Sequence, residues 1–161
     1  MIILAHDYSY SVLNDVYGVL PQNTAMTTIG DNVFIGMNAI ILMGSHIGNN
    51  VIIGAGAVVS GVVEDDSVYA GNPARKICTL EEFYAKRMKR FEESAVLQAK
   101  RIKETTGHYP TEEDMDFYVQ LFNGDPSFYK EMEKRLGNSP IKLPTETKYK
   151  NKDEFFLSNK I

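Results

Sequence analysis

The 161-residue chain is 43% hydrophobic and 24% charged, which excludes a disordered or collagen-like polymer and fits about one globular domain. Its formal charge of −4 and pI near 5.4 exclude a basic surface spread over the whole molecule, so no nucleic-acid partner is expected. A single cysteine, Cys78, excludes an internal disulfide framework and a multi-cysteine metal site, and fits a reducing, cytoplasmic compartment.

Met1–Ala5 reads as a short strand running into His6; its apolar run is too short, and lacks the basic flank, for a signal peptide. Residues 7–25 form an irregular excursion that contains Tyr8, Ser9, Tyr10 and Tyr17. From Ile29 a period of six takes over: Ile29, Ile35, Ile41, Ile47, Ile53 and Val59. Four of the following residues are glycine, and the positions four after each aliphatic are Val33, Ala39, Ser45, Val51, Ala57 and Val63. One short strand plus one tight turn fits six residues, and three such sides close a coil whose aliphatics stack at the strand spacing. The expectation is two full coils, 29–46 and 47–64, in one unbroken register. Residues 68–77 then read as a last strand leaving the coil. The uncharged stretch 32–63 is long enough for a membrane span, but asparagines, His46 and glycines interrupt it, so no membrane insertion is expected.

The chain changes character near residues 76–80. Residues 1–63 carry only Asp7, Asp15 and Asp31, and all 17 lysines and arginines lie at Arg75 or later. Thr79-Leu-Glu-Glu82 predicts a helix start by a capping box. Leu80, Phe83, Tyr84, Met88, Phe91, Ala95, Ala99 and Ile102 then share one face up to Gly107. Lys86, Arg87, Lys89 and Arg90 form a basic cluster that reads as a solvated face balanced by Glu92 and Glu93. A second helix opens at Thr111–Asp114, and a third runs from Asp125-Pro126 to Leu136 and Gly137. Residues 138–161 read as an extended or mobile polar tail. The predicted division is a core at 1–78, a helical extension at 79–137 and the tail.

Ile29-Gly-Asp-Asn-Val-Phe-Ile-Gly36, Ile47-Gly-Asn-Asn-Val-Ile-Ile-Gly-Ala-Gly-Ala-Val-Val59 and Ala70-Gly-Asn-Pro-Ala-Arg75 resemble the hexapeptide-repeat acetyltransferases. Within that family the chain is most similar to the sugar, xenobiotic and capsular-polysaccharide O-acetyltransferases. The resemblance covers residues 1–78. It implies a mainly β fold, a left-handed parallel β-helix followed by the C-terminal α-helical extension, and a homotrimer. The family places two or more coils before the strand that carries its histidine, so N-terminal coils are expected to be missing here, with weak acceptor-dependent activity as the corollary.

The implied activity is acetyl-CoA-dependent O-acetylation of a saccharide hydroxyl, by direct transfer without an acetyl-enzyme. Such transfer needs a base for the alcohol proton. His6 stands where the family has its catalytic histidine, before the loop that walls the active site, so the resemblance makes it the general base. His46 reads as a solvent-facing corner residue, and His108 as a loop residue between helices. No metal site is expected. The resemblance assigns Met37 and Ala55 to main-chain contacts with the pantetheine arm. Ser60 and Gly61 fall where the family has Thr-Lys, so a cation that would meet phosphate is missing, and Arg75 or Lys76 could replace it. Two rival readings stay open: N-acetylation of an amino sugar, and a non-catalytic β-helical scaffold subunit.

Overall fold

In the computed structural model, which describes residues 1–122, 127–135, 140–142 and 144–161, the chain divides into two compact units, Met1–Ala85 and Lys86–Ile161. The first unit is made of short strands: β1 (Ile2–Ile3), β2 (Thr28–Ile29), β3 (Phe34–Ile35), β4 (Ile40–Ile41), β5 (His46–Ile47), β6 (Ile52–Ile53), β7 (Val58–Val59), β8 (Val62–Val63), β9 (Ser67–Ala70) and β10 (Arg75–Thr79). The first nine fall into three parallel sheets visited in rotation, β1-β4-β7, β2-β5-β8 and β3-β6-β9. Each strand therefore pairs with the one three places later. Thr28 faces His46, Phe34 faces Ile52 and Ile40 faces Val58, so one circuit takes eighteen residues. That circuit is three of the six-residue units read from the sequence.

The inward side chains follow the same period. Ile41, Ile47, Ile53 and Val59 are buried, and so are Ala39, Val51 and Ala57 at the intervening positions. Each buried aliphatic of this size stabilises the coil by about 1.5–3 kcal/mol. Ser45 is fully buried among them, and its Oγ donates to the carbonyls of Leu42 at 2.6 Å and Val59 at 3.2 Å, so the hydroxyl is satisfied inside the coil.

Corners limit how closely the circuits stack. A Cβ on Gly36 would stand 2.7 Å from the Cα of Ala55 in the next circuit and would overlap its amide nitrogen. Asn32, Asn50 and Asp66 hold left-handed backbone at another corner, with φ between 51° and 55°. Their side chains bond upward from circuit to circuit: Asn32 Nδ2 donates to Asn50 Oδ1 and Asn50 Nδ2 to Asp66 Oδ1, both at 2.9 Å. A parallel ladder runs beside it, from the amide of Asp31 to Asn49 Oδ1 and from the amide of Asn49 to Asp65 Oδ1.

Three features depart from an unbroken register. Ile2 faces Ile40 rather than the residue eighteen positions on, so the first circuit carries an insertion of twenty residues. The third circuit is two residues short, because β7 and β8 are joined by Ser60 and Gly61 alone, with Gly61 at φ 77°. His46 consequently faces Val62, and Val63 takes the inward place opposite Ile47. The expected column position of Val63 is corrected accordingly; Ser67, four residues on, is buried one circuit above Val51. Finally, residues 68–77 are not one departing strand. Arg75 folds back to face Ala70, and β10 runs antiparallel to β9.

Helix α2 (Leu80–Thr106) begins in the first unit with the predicted capping box: the Thr79 amide donates to Glu82 Oε2 at 2.8 Å and the Glu82 amide to Thr79 Oγ1 at 3.1 Å. In the second unit its Ala95 and Ala99 are fully buried against Met115, Phe122, Phe155 and Phe156. Glu113–Leu121 is a 3₁₀ segment kinked at Met115, not the expected α-helix, although Thr111 and Asp114 cap it reciprocally. Helix α3 covers Ser127–Arg135; the expected start at Asp125-Pro126 and end at Leu136 and Gly137 lie outside the described residues.

The tail reading of 138–161 is corrected over its last part. Tyr149 pairs with Phe122, its amide donating to Leu121 O at 2.9 Å, and helix α4 (Lys152–Ser158) buries Phe155 and Phe156. Sparse but large aromatics hold a segment whose composition is polar. Glu92 on α2 clamps it, accepting from Lys148 Nζ at 2.7 Å and from the Tyr149 hydroxyl at 2.5 Å. The bonds from Lys148, and then from Tyr149, hold the Glu92 carboxyl below its ordinary value of 4.5.

Two outcomes follow for stability. Gly36→Ala should lower the unfolding free energy by about 1–3 kcal/mol, read as a reduced urea midpoint at unchanged slope. Glu92→Gln should destabilise the second unit near neutral pH. In the wild type the clamp is complete above pH 4.5 and is lost as pH falls through the lower folded value, so the two proteins should converge in acid, as hydrogen exchange at Tyr149 would report.

Candidate active site

His6 stands where the coil stops being regular. The amides of Ile2 and Leu4 still donate to Ala39 and Ile41, both at 2.9 Å, and two residues later the chain leaves on its twenty-residue insertion. The imidazole is exposed, tilted at 51° to the Tyr8 ring with centroids 5.7 Å apart, and Tyr8 lies 5.4 Å from Tyr10. Helix α1 (Tyr10–Tyr17) follows, closed by Gly18 at φ 72°, whose amide donates to Asn14 O. None of its residues is buried in the single chain. The excursion returns at Thr27, whose Oγ1 accepts from the Gly44 amide at 3.0 Å.

Asp7, the other ionisable group at this point, is committed elsewhere. Its Oδ1 accepts from the Ser9 hydroxyl at 2.5 Å and the Ser9 amide at 2.9 Å, forming the turn that leads into α1. Those two bonds, and then the nearby His6, hold the Asp7 carboxyl below its ordinary value. Asp7 shapes the excursion.

The stacked register gives every corner of the coil a column of residues. Met37 and Ala55 are eighteen apart and occupy the corner after β3 and β6, where the Gly56 amide donates to Met37 O at 2.9 Å. Arg75 faces Ala70 at the end of β9, in the column of Gly36 and Gly54, one residue before that corner. Ser60 and Gly61 lie instead at the corner after β7, in the column that His6 leaves after β1, with sheet β1-β4-β7 running between the two corners. Arg75 donates from Nη1 to the adjacent Ala74 O at 3.0 Å, whereas Lys76 is paired with Glu64 at 2.5 Å. Of the two cations considered for a phosphate, Arg75 is therefore the one not in an ion pair with Glu64.

His46 is not a corner residue. It opens β5, and its Nδ1 lies 2.9 Å from Thr28 Oγ1 on the strand below. Sequence reasoning missed this pair and the ordered helix inside the excursion; the run Val12, Leu13, Val16, Tyr17 at helical spacing was the available signal for α1. Among the described residues no three His, Cys, Asp or Glu side chains converge as metal ligands, and no helix is long and apolar enough to cross a membrane.

With the eighteen-residue circuit established, comparison with known proteins is direct. Residues 26–61 match the family described as bacterial transferase hexapeptide (six repeats). Over those residues the coil is similar to the hexapeptide-repeat transferases. YvoF of Bacillus subtilis strain 168, provisionally named an acetyltransferase, is 37% identical over 75 residues, which are 47% of this chain and 44% of YvoF. WbbJ of Escherichia coli K12, provisionally named a lipopolysaccharide biosynthesis O-acetyl transferase, is 41% identical over 34% of this chain and 28% of its own. A galactoside acetyltransferase solved in complex with coenzyme A is 40% identical over 35% of this chain and 28% of its own, with a TM-score of 0.35. The chain thus spans less than half the length of these relatives. The hexapeptide-repeat match takes in Met37, Ala55, Ser60 and Gly61; His6 and Arg75 lie outside it.

The Asp7 turn gives a direct check on the base of the excursion. Ser9→Ala should raise the Asp7 titration midpoint toward the ordinary 3.8, followed by the carboxyl carbon shift. The sign is that of a depressed carboxylate: the turn's bonds are complete above the ordinary range and are lost as pH falls through the folded value.

Proposed function

We propose that the chain is an acetyl-CoA-dependent O-acetyltransferase acting on a saccharide hydroxyl, with His6 as general base. The observation that carries the reading is the position of His6: an exposed imidazole at the root of the one long insertion in a hexapeptide-repeat coil. The names of the relatives support acetyl transfer, and that of WbbJ supports a saccharide acceptor.

The residues present fit coenzyme A. Met37 is 78% exposed and Ala55, one circuit above it, is exposed as well, so this corner is open to an extended amide-bearing arm. Arg75, beside the neighbouring column of Gly54 and Ala70, would supply a guanidinium for a phosphate. Ser60 and Gly61 line the other corner without a cation. When bound, the cofactor supplies an activated acetyl thioester. His6 would take the proton from the acceptor hydroxyl and hold it until a leaving group accepts it, and no residue of the chain would carry the acetyl group. Cys78 takes no part.

The same reading makes the protein a cytoplasmic homotrimer with a left-handed coil. Phe34, Met37 and Val62 support the assembly, because each is more than 60% exposed in the single chain. Sedimentation should give a mass near three chains of 18.1 kDa.

Transfer is tested by release of free thiol from acetyl-CoA in the presence of saccharide acceptors. His6→Ala should lower acceptor-dependent release by about 10²–10⁴-fold while acetyl-CoA affinity, measured by calorimetry, stays as in the wild type. Full activity in that variant overturns the assignment of the base.

A further inference from the structure

The second unit holds a groove of about 470 Å³ between α2 and the 3₁₀ segment that the reading above leaves unused. Arg87, Arg90, Phe91 and Ser94 line it from α2 at spacings of three and four, so they share one helix face. Phe117 and Tyr118 line it from the facing segment. The Phe91 and Tyr118 rings are tilted 5.1 Å apart and form a firm wall, while Phe117 remains 55% exposed. Among the described lining residues two are cationic and none carries a carboxylate.

A solvated charged face accounts for Lys86 and Lys89, which do not line the groove. It does not account for Arg90 lining a concave surface together with Phe91, Phe117 and Tyr118. We propose that this groove binds an acidic carbohydrate chain, of the same chemical class as the acceptor proposed above. The proposal rests on the saccharide-transfer reading above and deepens it. A sugar ring has an apolar C–H face that packs on an aromatic ring, hydroxyls that bond to groups such as the Ser94 hydroxyl, and, in a uronate, a carboxylate that fits the planar guanidinium. The cavity lies in the size range of small-ligand sites. A nucleic acid needs a longer basic track than this one, which Glu92 and Glu93 interrupt directly beyond Phe91.

The test is calorimetric titration of the full chain with an oligogalacturonate, beside neutral maltohexaose and a single-stranded oligonucleotide. The wild type should bind the oligogalacturonate, less tightly as salt rises, and should not bind maltohexaose. Arg90→Gln and Phe117→Ala, both at exposed positions and checked for unchanged melting, should each weaken binding by about tenfold or more. Wild-type affinity in both variants, equal binding of maltohexaose, or tighter binding of the oligonucleotide overturns the proposal. Thiol release is measured separately. Binding with these variant effects but no transfer to any acceptor supports the groove and sinks the transferase reading. Transfer with unaltered binding in the variants sinks the groove alone.

Discussion

Everything in the first unit depends on the distance between one circuit of backbone and the next. Parallel strands pair at about 4.8 Å, and a corner must turn within that same thickness. Gly36 shows how little room is left, since a Cβ there would overlap the amide of Ala55. The hexad follows from this limit. Two extended residues pair with neighbours, an aliphatic fills the interior, and the corner takes whatever backbone can turn without thickening the layer. The buried column of Ile41, Ile47, Ile53 and Val59 then supplies the apolar stabilisation that holds circuits in register.

This limit also explains where variation is allowed. The coil tolerates an insertion only if the chain re-enters at the same height, and the excursion after His6 does so through Thr27 and Thr28, bonded to Gly44 and Ser45. Both ends of the excursion are thus pinned by β pairing while its middle is exposed. An imidazole at such a root has a fixed backbone and an open face, which general-base chemistry requires. Asp7, by closing the turn with Ser9, sets the direction in which α1 departs.

The legible part of the structure was the part governed by a period. Ile29 to Val59 announced the circuit length, its interior face and the glycine corners, and the capping box at Thr79 and Glu82 announced the start of α2. The missed features share a different cause, in that each is settled by contacts distant in sequence. Shortening the corner to Ser60 and Gly61 leaves the apolar spelling intact, because Val62 and Val63 are as acceptable as the residues a full hexad would place there. The polar composition of the C-terminal segment concealed Tyr149, Phe155 and Phe156, whose burial depends on the faces offered by α2 and the 3₁₀ segment. His46 was misplaced by one step, since a residue beside a corner and one opening a strand look alike until its partner Thr28 is known. At the candidate site, the place of His6 ahead of an excursion was legible, while the Asp7 turn and α1 were not.

The asparagine corner shows how the coil gains cohesion from the conformation that its thin corners demand. Left-handed backbone costs a residue with a Cβ something that glycine avoids, yet Asn32, Asn50 and Asp66 hold it in three successive circuits. Glycine would relieve the strain but would remove the side chains that bond one circuit to the next. The ladder also has a direction. Each asparagine amide donates upward and its carbonyl oxygen accepts from below, so a chain of any length stays satisfied until its last member, which needs only to accept. Asp66 is that member, a carboxylate with no amide group to leave without a partner at the corner before β9, the last strand of the parallel circuits. In the neighbouring ladder the donors are backbone amides, and Asp65 accepts the last of them. The aspartate that closes the side-chain ladder therefore marks its last rung as a consequence of donor and acceptor counting.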